Sequence, residues 1–209
     1  SNKKCFFLSK LIIPEKYCNK FSFYDKVVLA KDYEISLKNK QKEGRPTLFN
    51  KNLLLKIGLY DDKTFRIAGE DTDLRWKIQE LGYKLVTAPV NLLHLHGFYN
   101  LSMKKQLLNK ALPLAEASGV NFRKHGLKSF ASKYWSPITS TILYISLLIH
   151  YINIISLILI LSLAIIYTLN AFRYTKDIRI IFVPIFKLLK DILTIIGFWK
   201  GFITKKQNF

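Results

Sequence analysis

Glu70, Asp71 and Asp73 put three carboxylates into four residues, directly after Gly69 and ahead of the helix-spaced apolar residues Leu74, Ile78 and Leu81. Carboxylates in the first turn of a helix meet unsatisfied backbone amides and the positive end of the dipole, which keeps them ionised and held in place. A fixed, ionised carboxylate is what a general base requires, and the same arrangement is also what ordinary N-terminal capping produces. A second set is His94 and His96, which strand alternation places on one face with Val90 and Leu92. Two imidazoles so placed suit two metal ligands, one ligand and its neighbour, or a structural pair. Cys5 and Cys18 are too far apart for a Cys-x-x-Cys pair and too few for a disulfide framework, so they read as reduced thiols.

The elements that must position these groups are read from periodicity. Thr47 to Ile57 has apolar residues at near-helical spacing and stops at Gly58, where a helix C-terminus favours positive φ. Thr72 to Leu81 repeats the pattern, with Asp71 or Thr72 as the cap and Gly82 as the stop. Tyr83 to Thr87 and Val90 to His96 read as strand segments, or as one strand bent at Pro89. Residues 1 to 45 read as strands and a loop, with Val27 to Ala30 among the short apolar pieces. Ser102 to Lys133 reads as a basic helical stretch broken at Gly119 and Gly126.

Tyr134 to Phe172 contains no Lys, Arg, Asp or Glu over 39 residues. A bilayer crossing needs about 20. Polar His150 and Asn153 lie near its centre, and Lys124, Lys128 and Lys133 before it mirror Arg173, Lys176 and Arg179 after it. Positive residues stay on the cytoplasmic side, so this pattern favours a helical hairpin with both ends cytoplasmic over one tilted span. Residues 178 to 203 are apolar but carry Lys187, Lys190, Asp191 and Lys200, a composition suited to an interfacial helix.

Half of the 209 residues are hydrophobic, which excludes disorder, and 33 Lys plus Arg against 14 Asp plus Glu give a net charge of +19. Such a balance favours an anionic partner. Only six of the basic residues are Arg, the side chain that reads phosphate and guanine with a bidentate fork, and this argues against nucleic acid as the partner.

From about Arg45 to Gly97 the chain resembles the acceptor half of the family 2 glycosyltransferases of GT-A fold. The resemblance is carried, in order, by Leu48-Phe49-Asn50-Lys51, Ile57-Gly58-Leu59-Tyr60-Asp61-Asp62, Glu70-Asp71-Thr72-Asp73-Leu74, Gly82-Tyr83-Lys84, Pro89 and the histidines. It implies that Asp71 is the base that takes the acceptor proton, that Glu70 orients the acceptor, and that transfer inverts the anomeric carbon. Asp73, Trp76 and Lys77 become acceptor-side or structural residues, with Asp73 a cap. His94, or else His96, is implied as a ligand of a divalent metal, Mn2+ or Mg2+, beside the nucleotide diphosphate. The donor-binding motifs of the family are absent from residues 1 to 44, and Lys77 replaces an Arg common at that helix position.

The expected fold class is therefore α/β, a partial GT-A (Rossmann-like) domain followed by transmembrane and interfacial helices. Residues 1–115 are the acceptor-side domain, 116–136 a basic juxtamembrane linker, 137–172 the transmembrane segment and 173–209 an amphipathic interfacial helix with a basic tail. The expected function is transfer from a nucleotide-sugar donor to a glycan or lipid-linked acceptor at the cell membrane, on its cytoplasmic side. The chain is read as a fragment that needs an N-terminal donor-binding half. The competing class is a non-catalytic membrane-bound interaction module.

Overall fold

The computed structural model describes residues 5–12, 21–28, 42–48, 51–65, 69–93, 102–126, 137–149, 153–173 and 175–204. The chain divides into two units, one formed by Ser1–Phe21 with Lys31–Tyr99 and the other by Ser22–Ala30 with Asn100–Phe209.

Among the described residues of the first unit, strand backbone forms β1 (Cys5–Ile12), β2 (Lys42–Leu48) and β3 (Lys84–Leu93), in the order β2-β1-β3. β1 runs antiparallel to β2 and parallel to β3, with Cys5 opposite Lys84 and Ile12 opposite Leu93. The two expected segments around Pro89 are one strand. Pro89 falls in the interval between Thr87 and Asn91 where the register with β1 shifts, and an irregularity of this kind accommodates a residue that cannot donate to the ladder. Helices α1 (Lys51–Ile57) and α2 (Glu70–Glu80) bury Leu53, Leu74 and Ile78 together, with Leu54, Ile57 and Tyr83 packed against them. Helix α1 starts later than expected because Thr47 and Leu48 belong to β2.

The second unit is helical. Residues 23–28 form a helical turn where apolar strand pieces were expected. The cause is local: the Asp25 N–H donates to Ser22 Oγ at 3.1 Å, a cap, and Phe23 and Val27, one turn apart, enter the core. Then follow α3 (Met103–Gln106), a π-helical turn (Leu107–Ala111), α4 (Leu112–His125) and α5 (Pro137–Ile145) with its 3₁₀ extension (Ser146–Leu148). The chain ends in α6 (Asn153–Phe172), a 3₁₀ turn (Ile178–Phe182) and α7 (Val183–Ile203). Phe23, Val27, Leu107, Ala171, Val183 and Phe186 form its core.

Helices α4 and α7 meet backbone to backbone. A Cβ on Gly197 would stand 2.7 Å from the Leu112 carbonyl oxygen, and one on Gly119 would stand 2.8 Å from the Phe202 amide nitrogen. Gly119, expected as a helix break, lies inside α4 and is the point of close approach; Gly126, with φ 64°, does end the helix. Phe122 fills the seam with ring centroids 5.7 Å from Phe198 and 5.6 Å from Phe202.

Helices account for 83% of the residues whose side chains are described, and this corrects the expected fold class. The chain falls in an all-helical class, not an α/β, partial GT-A (Rossmann-like) one. The described strand backbone amounts to one small sheet with an antiparallel neighbour, whereas the doubly wound layer requires a mostly parallel sheet covered by helices on both faces. The long apolar runs after residue 102 take the helical period instead.

Among the described residues one helix, Asn153–Phe172, is long and apolar enough to cross a membrane. Its 20 residues extend about 30 Å, the thickness of a hydrocarbon core. The uncharged run is interrupted ahead of it. Ile149 is extended (φ −95°, ψ 114°), its N–H donates to the Ser146 carbonyl at 3.1 Å, and the Ser146 and Ser156 hydroxyls hydrogen-bond across the break. Pro137–Leu148 is a shorter apolar helix.

Candidate acceptor-side turn

The amino end of α2 is set by Gly69 rather than by Asp71 or Thr72. Gly69 has φ 100°, and its carbonyl accepts the Asp73 N–H at 2.9 Å, so the helix begins about two to three residues earlier than the side-chain pattern suggests. All three carboxylates consequently lie inside the first turn. At the other end, the Gly82 N–H donates to the Gln79 carbonyl at 2.9 Å and the Tyr83 N–H to the Ile78 carbonyl at 3.3 Å, with Gly82 at φ 82°. This is a Schellman closure, completed by Tyr83 packing on the cluster that contains Ile78. Leu81, expected on the apolar face, is 46% exposed because the helix has ended there.

Upstream, Gly58 (φ 85°) and Leu59 (φ 60°) turn the chain out of α1, and the Leu59 N–H donates to the Leu54 carbonyl at 3.1 Å. Asp61 then fixes the following turn: its carboxylate accepts the Thr64 N–H at 3.0 Å and its carbonyl accepts the Phe65 N–H at 3.0 Å. Phe65 is buried.

The three carboxylates have different surroundings. Asp73, expected as a cap, is fully buried and ion-paired with Lys77 at 2.8 Å, four residues along the helix, so it locks the turn instead of capping it. Asp71 is half-buried, and its Oδ1 accepts the Thr72 N–H at 2.8 Å. Glu70 is half-buried, with Oε2 shielded and without a hydrogen-bond partner among the described residues. Trp76 is half-buried, and the Arg75 guanidinium lies 5.5 Å from its ring centroid. Glu70, Asp71, Asp73, Trp76 and Lys77 are thus brought together on one short helix anchored by Leu74 and Ile78. Chemically, the turn can hold a carboxylate at a fixed place, since the free backbone amides of the first helical turn meet it there.

His94 and His96 lie outside the described residues. Among the described residues no group of three or more His, Cys, Asp or Glu is placed to hold a metal ion.

Two groups escaped sequence reasoning. Gly69 was legible only as punctuation before the acidic run. Asp25 is buried, receives Ser22 Oγ at 2.6 Å and Gln106 Nε2, and lies 3.5 Å from Lys110. Gln106 and Lys110 sit 81 and 85 positions away from it, a separation that no local pattern reveals.

Compared with protein families, with curated proteins and with solved structures, the chain matches none.

Proposed function

We propose that the chain is the acceptor-side, membrane-associated part of a glycosyltransferase that uses a nucleotide sugar, with Asp71 as the general base. The observation that carries this reading is the division of labour in the first turn of α2. Asp73 is consumed by Lys77 in the core, while Asp71 is held by the Thr72 N–H in a half-exposed position.

An acceptor hydroxyl has a pKa far above neutrality and attacks only if its proton leaves as the new bond forms. In the proposed step the Asp71 carboxylate takes that proton, the acceptor oxygen bonds to the anomeric carbon, and the bond to the nucleoside diphosphate breaks on the opposite face, so the carbon inverts. Glu70, beside it, accepts a hydrogen bond from the acceptor and orients it. The donor would be held by a segment outside residues 1–209, and α6 would keep the turn near a glycan or lipid-linked acceptor on the cytoplasmic side, where nucleotide sugars are made.

The test is Asp71→Asn in the chain supplied with its donor half. Transfer falls about 10²- to 10⁴-fold, the usual worth of a positioned base, while nucleotide-sugar affinity stays within about twofold. Transfer at the wild-type rate removes Asp71 from the role. A second reading, a non-catalytic membrane-bound module, draws on the bond from Thr72 to Asp71, which an ordinary first-turn carboxylate also makes. It is favoured if the assembled protein hydrolyses and transfers no nucleotide sugar.

A further inference from the structure

Helix α7 carries Lys187, Lys190 and Asp191 in mid-helix, two cations for one anion. Lys187 is ion-paired with Asp191. Among the described residues no carboxylate pairs with Lys190. The two ammonium groups converge on one ring, Lys190 at 5.5 Å and Lys187 at 5.8 Å from the centroid of Tyr167 on α6. That ring is pinned, since the Tyr167 hydroxyl donates to the Val27 carbonyl at 3.4 Å. From α5, the shielded Tyr144 hydroxyl lies against Asp191, to which it can donate.

Lys187, Lys190 and the Tyr144 hydroxyl thus surround the single Asp191 carboxylate, a net positive group beside exposed apolar helix faces that suits a further anion able to accept from these donors. A phosphate group does this with charge-assisted hydrogen bonds. The setting selects its source. Ile185, Leu189 and Ile192 on α7 are exposed, as are Ile165, Ile166 and Leu169 on α6, so the approach is apolar and suits an anion carried on a hydrocarbon chain.

We propose that Lys190, with Lys187 and Tyr144, binds the phosphate headgroup of a membrane lipid against α7. The site is independent of the reading of Asp71, because it uses no residue of α2.

The probe is a fluorescent short-chain phosphatidic acid titrated into the 209-residue chain in uncharged detergent micelles, with phosphatidylcholine and inorganic phosphate as comparisons. A chain of charge +19 attracts any anion, so the decisive comparison is between two losses of one charge. Lys190→Gln weakens phosphatidic acid at least about tenfold, Lys190→Arg holds it within about threefold, and Lys176→Gln, at an exposed position, changes it by less than about twofold. Tyr144→Phe, which conserves volume, decides the matter if Lys190→Gln does not fold, and is expected to weaken binding about threefold. Equal effects of Lys190→Gln and Lys176→Gln would reduce the attraction to diffuse charge and overturn the site. Displacement of the lipid by millimolar inorganic phosphate would overturn the lipid source, and equal affinity for phosphatidylcholine would overturn the phosphate specificity.

Discussion

Two ion pairs at the same helical spacing behave differently. In α2, Asp73 precedes Lys77; in α7, Lys187 precedes Asp191. The first order has the acid toward the helix N-terminus, where the dipole and the backbone amides favour it, and Asp73 can be taken to 1% side-chain exposure with Lys77 at 28%. The second order opposes the dipole and stands in mid-helix, and its partners remain at 17% and 21% exposure. A helix terminus can thus hold several acids, whereas the middle of an apolar helix must compensate its charges through other side chains or a ligand. In the acidic turn the pair draws Asp73 into the core and leaves Asp71 half-buried at its edge; in α7 the cluster keeps one more cation than anion.

The largest expected effect tests whether α7 is held as rigidly as this contrast requires. A Cβ on Gly201 would run into the Glu116 carbonyl oxygen and lie 2.8 Å from its carbonyl carbon, so Gly201→Leu must push two backbones apart. Overpacking costs about 1–3 kcal/mol where side chains can yield, and here the obstacle is main chain, so the loss exceeds about 3 kcal/mol. Trp199 reports on it: its Nε1–H donates to Thr141 Oγ1 at 2.9 Å across α5 and α7, and its fluorescence should lose the cooperative thermal transition in detergent. A wild-type transition would mean that α4 and α7 do not cross at these glycines.

A smaller effect belongs to the other side of the comparison. Leu74 is fully buried between the residues that carry the acidic turn, clustered with Leu53 and Ile78 among the described residues. Leu74→Ala is expected to cost about 2–5 kcal/mol, the usual range for a fully buried Leu. Urea denaturation followed by the circular dichroism of the full chain measures it. A cost below about 0.5 kcal/mol, typical of surface positions, would detach Leu74 from the core and leave the turn without its anchor.

These two sites also show what could be read in advance. The stop at Gly82 was legible because positive φ, a Schellman closure and an apolar partner at Tyr83 are all local. The membrane-length helix was legible because composition alone marks it. The start of α2 was misplaced because Asp71 and Thr72 are good caps by type, and only the backbone of Gly69 shows that the helix has already begun. Gly119 reads as a break for the same reason that Gly126 does, and only the packing of α7 separates them. The α/β class rested on the resemblance over Arg45 to Gly97, which says nothing of the helical remainder, and even Phe23 and Val27, in a stretch read as strands and a loop, belong to a helical turn in the core of the second unit. The Tyr144 and Tyr167 contribution to α7 depends on contacts between helices and has no sequence signature.

The smallest effect sharpens the comparison with a third pair, two residues apart and outside any spanning helix. Asp177 accepts from the Arg179 guanidinium, and also from its backbone N–H at 2.9 Å, and these bonds hold its carboxyl at about 2 against an ordinary value of 3.8. A depressed folded pKa contributes stability that is present above the unfolded value, and this contribution is lost as pH falls from 3.8 towards about 2. The pair is exposed, so the consequence for global stability should be slight, and the pKa itself is the quantity to measure. The carboxyl carbon resonance of Asp177 should titrate with a midpoint near 2 in the wild type and move back towards 3.8 in Arg179→Gln. If the midpoint does not move, the guanidinium is not what holds the proton off. Arg179, which also lies 4.9 Å from the Phe23 ring centroid, would then be placed by that aromatic contact and not by Asp177.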